Sequence, residues 1–320
     1  MLLLLLACVA SGTTWVEVAS PALDADQQLA LERLNRVRSD PPSCVDDFEA
    51  LFEEEEARSP RQCDDSLRST VGPLRKAESR PPLAPVSALV EVAEAHATAM
   101  ATGGWFNHVD PQGIGPNERL RRAGVALDVR VPSDGRVYLY GAGQRDNQVE
   151  SLYSRSAFTT GEVGDPELHE WSSGIDSLIV DRCVNGRGHR DHVLGRTVLS
   201  EQDREVGIGT ATALAQHPTD PRFGGWTLRL VVLTRARLEG DFFLVGSVFS
   251  DKDGDGRYSA GEGLGDVLVE LAELSIRTRT APGGGFVIPV PDGTRGTLSA
   301  QTTSVEVEVS GANLSVPLPL

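Results

Sequence analysis

Helical periodicity in this chain stops at Arg237-Leu238-Glu239-Gly240. Upstream of that point, apolar residues recur at helical spacing in several segments. Downstream, only short alternating or β-branched runs remain, separated by Gly, Pro and Asp. A chain that changes period in this way does not bury one uniform core. It divides into an α+β module over residues 24–237 and an all-β module over 241–320, and its length of 320 residues suits two domains.

In the first module the segment 24–38 places Leu29, Leu31, Leu34 and Val37 close to helical spacing. Asp24 or Asp26 caps its start and Asp40-Pro41-Pro42 stops it. Residues 86–101 form a second helix, with Pro85 before it and Gly103-Gly104 past its end. His96 shares a face with Leu89, Val92 and Met100, which reads as a core histidine. Shorter helices follow at 116–123, 168–181 and 188–195, then strands at 205–213 and 225–235. Strands that come late, without βαβ regularity, point to an α+β layer fold. A polar stretch over 41–80, with the run Glu53–Glu56, reads as an insertion.

A net charge of −16 disfavours nucleic acid and anionic membrane surfaces, both of which require clustered Lys and Arg. The N-terminal run Met1-Leu2-Leu3-Leu4-Leu5-Leu6-Ala7-Cys8 is too short to span a bilayer. It reads as the end of a secretory signal over 1–20, or as a lipoprotein signal with Cys8 as the lipidated residue. In an exported protein Cys44 and Cys63, with 18 residues between them, are expected to pair. Closing such a loop contributes on the order of 3 kcal/mol. No zinc-finger spacing involves the cysteines.

The second module reads as short strands at 242–249, 266–272, 285–290, 304–309 and 313–318, a small sandwich. Between the first two lies Asp251-Lys252-Asp253-Gly254-Asp255-Gly256, followed by Glu262. This matches a calcium loop, with oxygens from Asp251, Asp253, Asp255, the Arg257 carbonyl, Ser259 and a bidentate Glu262. Strands flank the loop instead of helices, so it is not a sensor EF-hand. With Gly246-Ser247-Val248-Phe249 before it and Gly261–Val267 after it, the region resembles the B-type repeats of bacterial surface adhesins. That resemblance implies a Cna-B-like, transthyretin-like β-sandwich that binds calcium structurally.

The first module resembles the CAP superfamily of cysteine-rich secretory, antigen 5 and pathogenesis-related 1 proteins. The ordered segments that carry the resemblance begin with Leu34–Arg38, Pro82–Pro85 and Phe106-Asn107-His108. Gly113, Arg119, Gly124, Leu178–Asp181, Arg187-Gly188-His189-Arg190 and Val206–Gly209 complete them. The resemblance spans about residues 27–236 and implies an α-β-α sandwich whose cleft holds two histidines and two carboxylates. His108 and His189 match the histidine positions. Asp181 stands for one carboxylate, and Gly135–Gly141, where a Gly-Glu-Asn motif is expected, contains no Glu. His192, one turn from His189, is a candidate third imidazole. Zinc or another divalent cation is the expected occupant of such a cleft.

No HExxH or GxSxG motif is present. The expected function is therefore that of an exported bacterial binding or interaction protein without enzymatic activity. Its partner would be a small hydrophobic ligand, a peptide or a cell-surface component, with membrane contact only through a lipid on Cys8. The alternative is a metal-dependent hydrolase built on the cleft histidines.

Overall fold

The computed structural model describes residues 14–50, 68–127, 130–159, 169–181, 184–216, 224–237 and 239–320. Its helices are α1 (Ala25–Ser39), α2 (Arg68–Arg75), α3 (Ser87–Gly103), α4 (Pro116–Arg122), α5 (His169–Val180) and α6 (Gly188–Val193). The strands are β1 (Val16–Glu17), β2 (Ala84–Pro85), β3 (Val131–Ser133), β4 (Arg136–Tyr138), β5 (Glu150–Thr159), β6 (Asp203–Gln216) and β7 (Gly224–Ala236). Beyond the linker come β8 (Phe242–Phe249), β9 (Leu268–Leu271), β10 (Ile276–Arg279), β11 (Gly285–Val290), β12 (Arg295–Ala300), β13 (Thr303–Glu308), β14 (Leu314–Ser315) and β15 (Leu318–Pro319).

The N-terminal module has helices on both faces of a four-stranded sheet of order β2-β6-β7-β5. Alternation along β7 separates the two cores. Leu228, Leu230 and Val232 face α1 and α5, whereas Val231 and Leu233 face α3. Helix α1 starts on a capping box between Asp24 and Gln27, which satisfies two orphan backbone donors. Helix α3 lies close to the sheet because β6 presents Gly207 and Gly209 to it. A Cβ on Gly209 would lie 2.1 Å from the Ala93 carbonyl carbon, and one on Gly207 2.3 Å from Leu89 backbone. The Val206–Gly209 segment is thus a helix-packing motif.

The C-terminal module has two sheets, β1-β10-β9-β12-β13 and β11-β8-β14 with β15 also on β8, around a common core. All of β8 is buried. Phe242, Leu244 and Val248 enter the sandwich core, and Phe243 and Val245 pack with Ala84 of the first module. The unbroken run Phe242–Phe249 therefore reflects burial on two sides. Phe249 and Tyr258 pack on Leu29 of α1. Asn313 Nδ2 donates to the carbonyls of Pro82 and Arg204 at 3.0 and 2.8 Å, which further ties the modules together.

Strand β1 crosses the division expected near residue 240. It pairs in parallel with β10, Val16 opposite Ile276 and Glu17 opposite Arg277. Ser20 Oγ then lies 2.9 Å from Thr278 Oγ1 and accepts from Val287 N–H at 3.1 Å. Residues 16–20 therefore belong structurally to the second module, whereas Leu23 enters the core of the first.

Cys44 is buried with a free thiol. Its expected partner Cys63 lies outside the described residues, as do Cys8 and most of the expected 1–20 signal. Among the described residues no helix is long and apolar enough to cross a membrane.

Candidate functional site

Helix α3 ends at Gly104 in the left-handed conformation, and the chain turns into a loop that carries Phe106, Asn107 and His108. Arg119 of α4 holds this loop. Its Nη1 donates to the carbonyls of His108 and Ile114 at 2.8 and 3.0 Å. His96 stays inside the α3 core, with Nε2 3.1 Å from the Asn107 carbonyl, so that nitrogen carries the proton. Burial lowers its pKa against the pull of Glu150.

His108 Nδ1 lies 2.9 Å from Glu150 Oε1. Glu150 opens β5, its side chain is fully buried, and its Oε2 accepts from Arg119 Nη2 at 2.5 Å. The second histidine has a parallel arrangement. His189 Nδ1 lies 2.7 Å from Asp181 Oδ1, and Asp181 Oδ2 accepts from the backbone N–H groups of His189 and Arg190. Arg190 anchors the turn by donating to the carbonyls of Ile179 and Val180 at the end of α5, both at 2.6 Å. An ionised carboxylate only accepts, so His189 Nδ1 carries a proton and its Nε2 presents a lone pair. His108 Nδ1 lies between Glu150 Oε1 and the Asn147 amide Nδ2 at 3.1 Å, and the nearer, charged carboxylate accepts its N–H, which leaves the lone pair on Nε2.

The two rings face each other with centroids 6.3 Å apart and planes inclined by 29°. The structure thus brings together His108, His189 and Asp181. It also supplies the carboxylate that the Gly135–Gly141 segment lacks. That carboxylate is Glu150, at the start of β5, a strand the sequence pattern does not mark. The β5 sequence Glu150-Ser151-Leu152-Tyr153-Ser154-Arg155 carries no clean polar–apolar alternation.

His192 has a different place from the one expected. It projects from α6 away from the two rings into the sheet, where Nδ1 lies 2.8 Å from Ser151 Oγ and Nε2 2.7 Å from Thr234 Oγ1. Thr234 donates its own proton to Asp203, whose other oxygen accepts from Tyr140 at 3.5 Å. Thr234 therefore accepts from His192 Nε2–H, and Ser151 donates to Nδ1. Both nitrogens are used, and burial pushes the His192 pKa down to about 3. Burial raises Asp203 to about 7, opposed by its bonds to Thr234 and Tyr140. His192 is a neutral bolt between α6 and the sheet and not a metal ligand.

Beside His189 and Asp181 lies a cleft of about 330 Å³ with walls that include Phe106, Leu152, Tyr153, Leu178 and Val180. Its size is at the low end for small-molecule sites, and its lining is mainly apolar. No third side-chain ligand joins the two imidazoles among the described residues.

In the second module the acidic loop brings oxygens of Asp251, Asp253 and Asp255 within 4.8 Å of one another. Gly256 adopts φ +72° and donates its N–H to Asp251 Oδ2 at 3.0 Å. A side chain is strained at that φ. Glu262 is buried and accepts from Lys252 N–H and Ser259 N–H at 2.8 and 2.9 Å. Ser259 Oγ donates to Asp253 at 3.3 Å. Asp251 Oδ1 is buried without a hydrogen-bond partner. Converging hard oxygens with one unmet acceptor fit a calcium ion.

No family model matches the chain, and no curated protein matches it. Among solved structures the chain is similar to an extracellular protein containing an SCP domain from Bacillus anthracis str. Ames. The identity is 15% and the TM-score 0.26, over 56% of this chain and 45% of that one. The chain thus spans less than half the length of that neighbour.

Proposed function

We propose that this chain is an extracytoplasmic binding protein of the CAP type, with a transthyretin-like β-sandwich stabilised by calcium. The observation that carries the reading is the matched pair of imidazoles. A buried carboxylate fixes each Nδ1, which leaves both Nε2 lone pairs free, and His189 lines an apolar cleft. Such a pair holds a divalent cation, and the adjoining walls take a small apolar ligand. Asp251, Asp253, Asp255, the Arg257 carbonyl, Ser259 and Glu262 would hold calcium, which neutralises the carboxylates crowded in the loop.

Binding is favoured over hydrolysis on ligand count. Catalytic zinc sites use three protein ligands and an open position. Here the carboxylates are occupied in orienting the imidazoles, and His192 is locked away in the sheet. Two imidazoles support an affinity in the micromolar range at best, an order-of-magnitude expectation from the ligand number.

Titration calorimetry with zinc tests the reading on the wild type and on His108→Ala/His189→Ala. Binding lost in the double variant supports it, and equal binding by both proteins overturns it. Zinc-dependent ester or amide hydrolysis that disappears in the double variant would instead establish the hydrolase.

A further inference from the structure

Arg229, on β7, is only 7% exposed and makes no ion pair among the described residues. Its Nη1 donates to Ser154 Oγ and to the Leu228 carbonyl, and its Nε is buried without any partner. Arg33, by contrast, lies between Asp47 and Asp176, and Arg190 caps α5. Arg38 likewise lacks an ion pair among the described residues and keeps a buried Nη2 without a partner, but it is bonded to the carbonyls of Pro81 and Val193 inside the first module and does not line the cleft. Removing a guanidinium from water without an anion costs several kcal/mol, and an orphaned buried donor adds to that cost.

The two side chains that touch Arg229 both line the cleft beside His189. Ser154 accepts its hydrogen bond, and the Phe106 ring lies with its centroid 5.4 Å from the guanidinium carbon. Phe106 is itself 46% exposed, so its ring stands at the mouth of the cleft. The cleft therefore runs from Asp181 and His189 to a wall backed by an unmatched cation, with apolar surface between. A carboxylate on a ligand would be repelled by Asp181 at one end and attracted at the other.

We infer that Arg229 is an anion subsite, and that the cleft's ligand is a small apolar molecule bearing a carboxylate. The planar fork of arginine matches a carboxylate with two parallel hydrogen bonds, and Nε is one of the two donors such a pair uses. Leu152, Tyr153, Leu178 and Val180 would cover the apolar body. The inference rests on the reading of the cleft as a ligand site.

Three probes with one skeleton separate the two claims: phenylbutyrate, phenylbutanol and phenylbutylamine, titrated into the full chain by calorimetry or NMR. The acid should bind roughly tenfold or more tighter than the alcohol, the gain of one charge-assisted contact, and the amine weakest. Arg229→Gln should bring the acid to the alcohol's affinity and leave the alcohol unchanged. Arg229→Lys should fall between, because it keeps the charge and loses the fork. Equal binding of acid and alcohol to the wild type overturns the anion subsite and leaves the cleft reading intact. Absence of binding by all three overturns both. The wild-type comparison decides the matter alone if Arg229→Gln does not fold.

Discussion

The carboxylate of Glu150 joins Arg119 and His108: Oε2 accepts from Arg119 Nη2 at 2.5 Å while Oε1 lies 2.9 Å from His108 Nδ1. One buried side chain thus links the loop-holding arginine to the half-buried imidazole. It sets the imidazole's tautomer from behind.

Glu150→Gln should therefore act twice. Removing one partner of a buried pair leaves Arg119 without its anion, a loss of about 3 kcal/mol or more, readable in urea unfolding. Zinc affinity should fall by about tenfold to a hundredfold, because the group that orients a ligating imidazole is gone. A variant as stable as the wild type, with unchanged zinc binding, would deny Glu150 both roles.

His192 and Asp203 make opposing contributions to stability against pH. His192 has its folded pKa depressed to about 3, so its contribution is present above the unfolded value near 6.5 and is lost as pH falls. Asp203 is raised to about 7, so its contribution is complete below the unfolded value near 3.9 and is lost as pH rises through 7. Between about pH 4 and 6.5 the two slopes cancel. His192→Asn should expose the aspartate, making the variant gain stability relative to wild type as pH falls through that window. Asp203→Asn should expose the histidine and do the reverse. Each should differ from wild type by about 1.4 kcal/mol per pH unit. Parallel wild-type and variant curves from urea melts would refute the pairing.

What was legible in the sequence was whatever local period and local chemistry determine. Leu29, Leu31, Leu34 and Val37 marked α1, and the run Phe242–Phe249 matches β8 end to end. His108, His189 and Asp181 were legible because motifs surround them. Glu150 was not, because β5 is a polar-rich edge strand whose burial is supplied by β7 and the His108 loop. Strand β1 was illegible for a related reason: Val16 finds its partner at Ile276, and nothing near Val16 announces it. His192 misled because helical spacing places it one turn from His189 but says nothing about which side of a six-residue helix meets the sheet.

Gly209→Ala tests how α3 is seated. The new methyl would meet the Ala93 carbonyl carbon at 2.1 Å and the Glu94 nitrogen at 2.4 Å, backbone atoms that cannot swing aside. Helix α3 must then lift from β6. Overpacking of this kind costs typically about 1–3 kcal/mol. Because α3 leads directly into the His108 loop, the same variant should weaken zinc binding. Wild-type melting temperature in calorimetric scans would contradict the close approach.

Calcium should raise the melting temperature of the full chain by mass action, since a cation that binds only the folded loop stabilises it. The full chain is the right object because residues 240–320 by themselves lack β1, the edge strand of one of their two sheets. Asp251→Asn should remove most of the effect. It replaces a carboxylate whose Oδ1 is buried and unpartnered, and it leaves an amide oxygen able to accept from Gly256 N–H. Glu262→Ala should lower stability even in chelator, because Lys252 and Ser259 would lose the acceptor of their N–H groups. The two variants thus separate ligation from scaffolding. Asp251→Asn should differ from wild type chiefly with calcium present, whereas Glu262→Ala should differ with and without it. Identical melting of the wild type in calcium and in chelator would remove the calcium assignment.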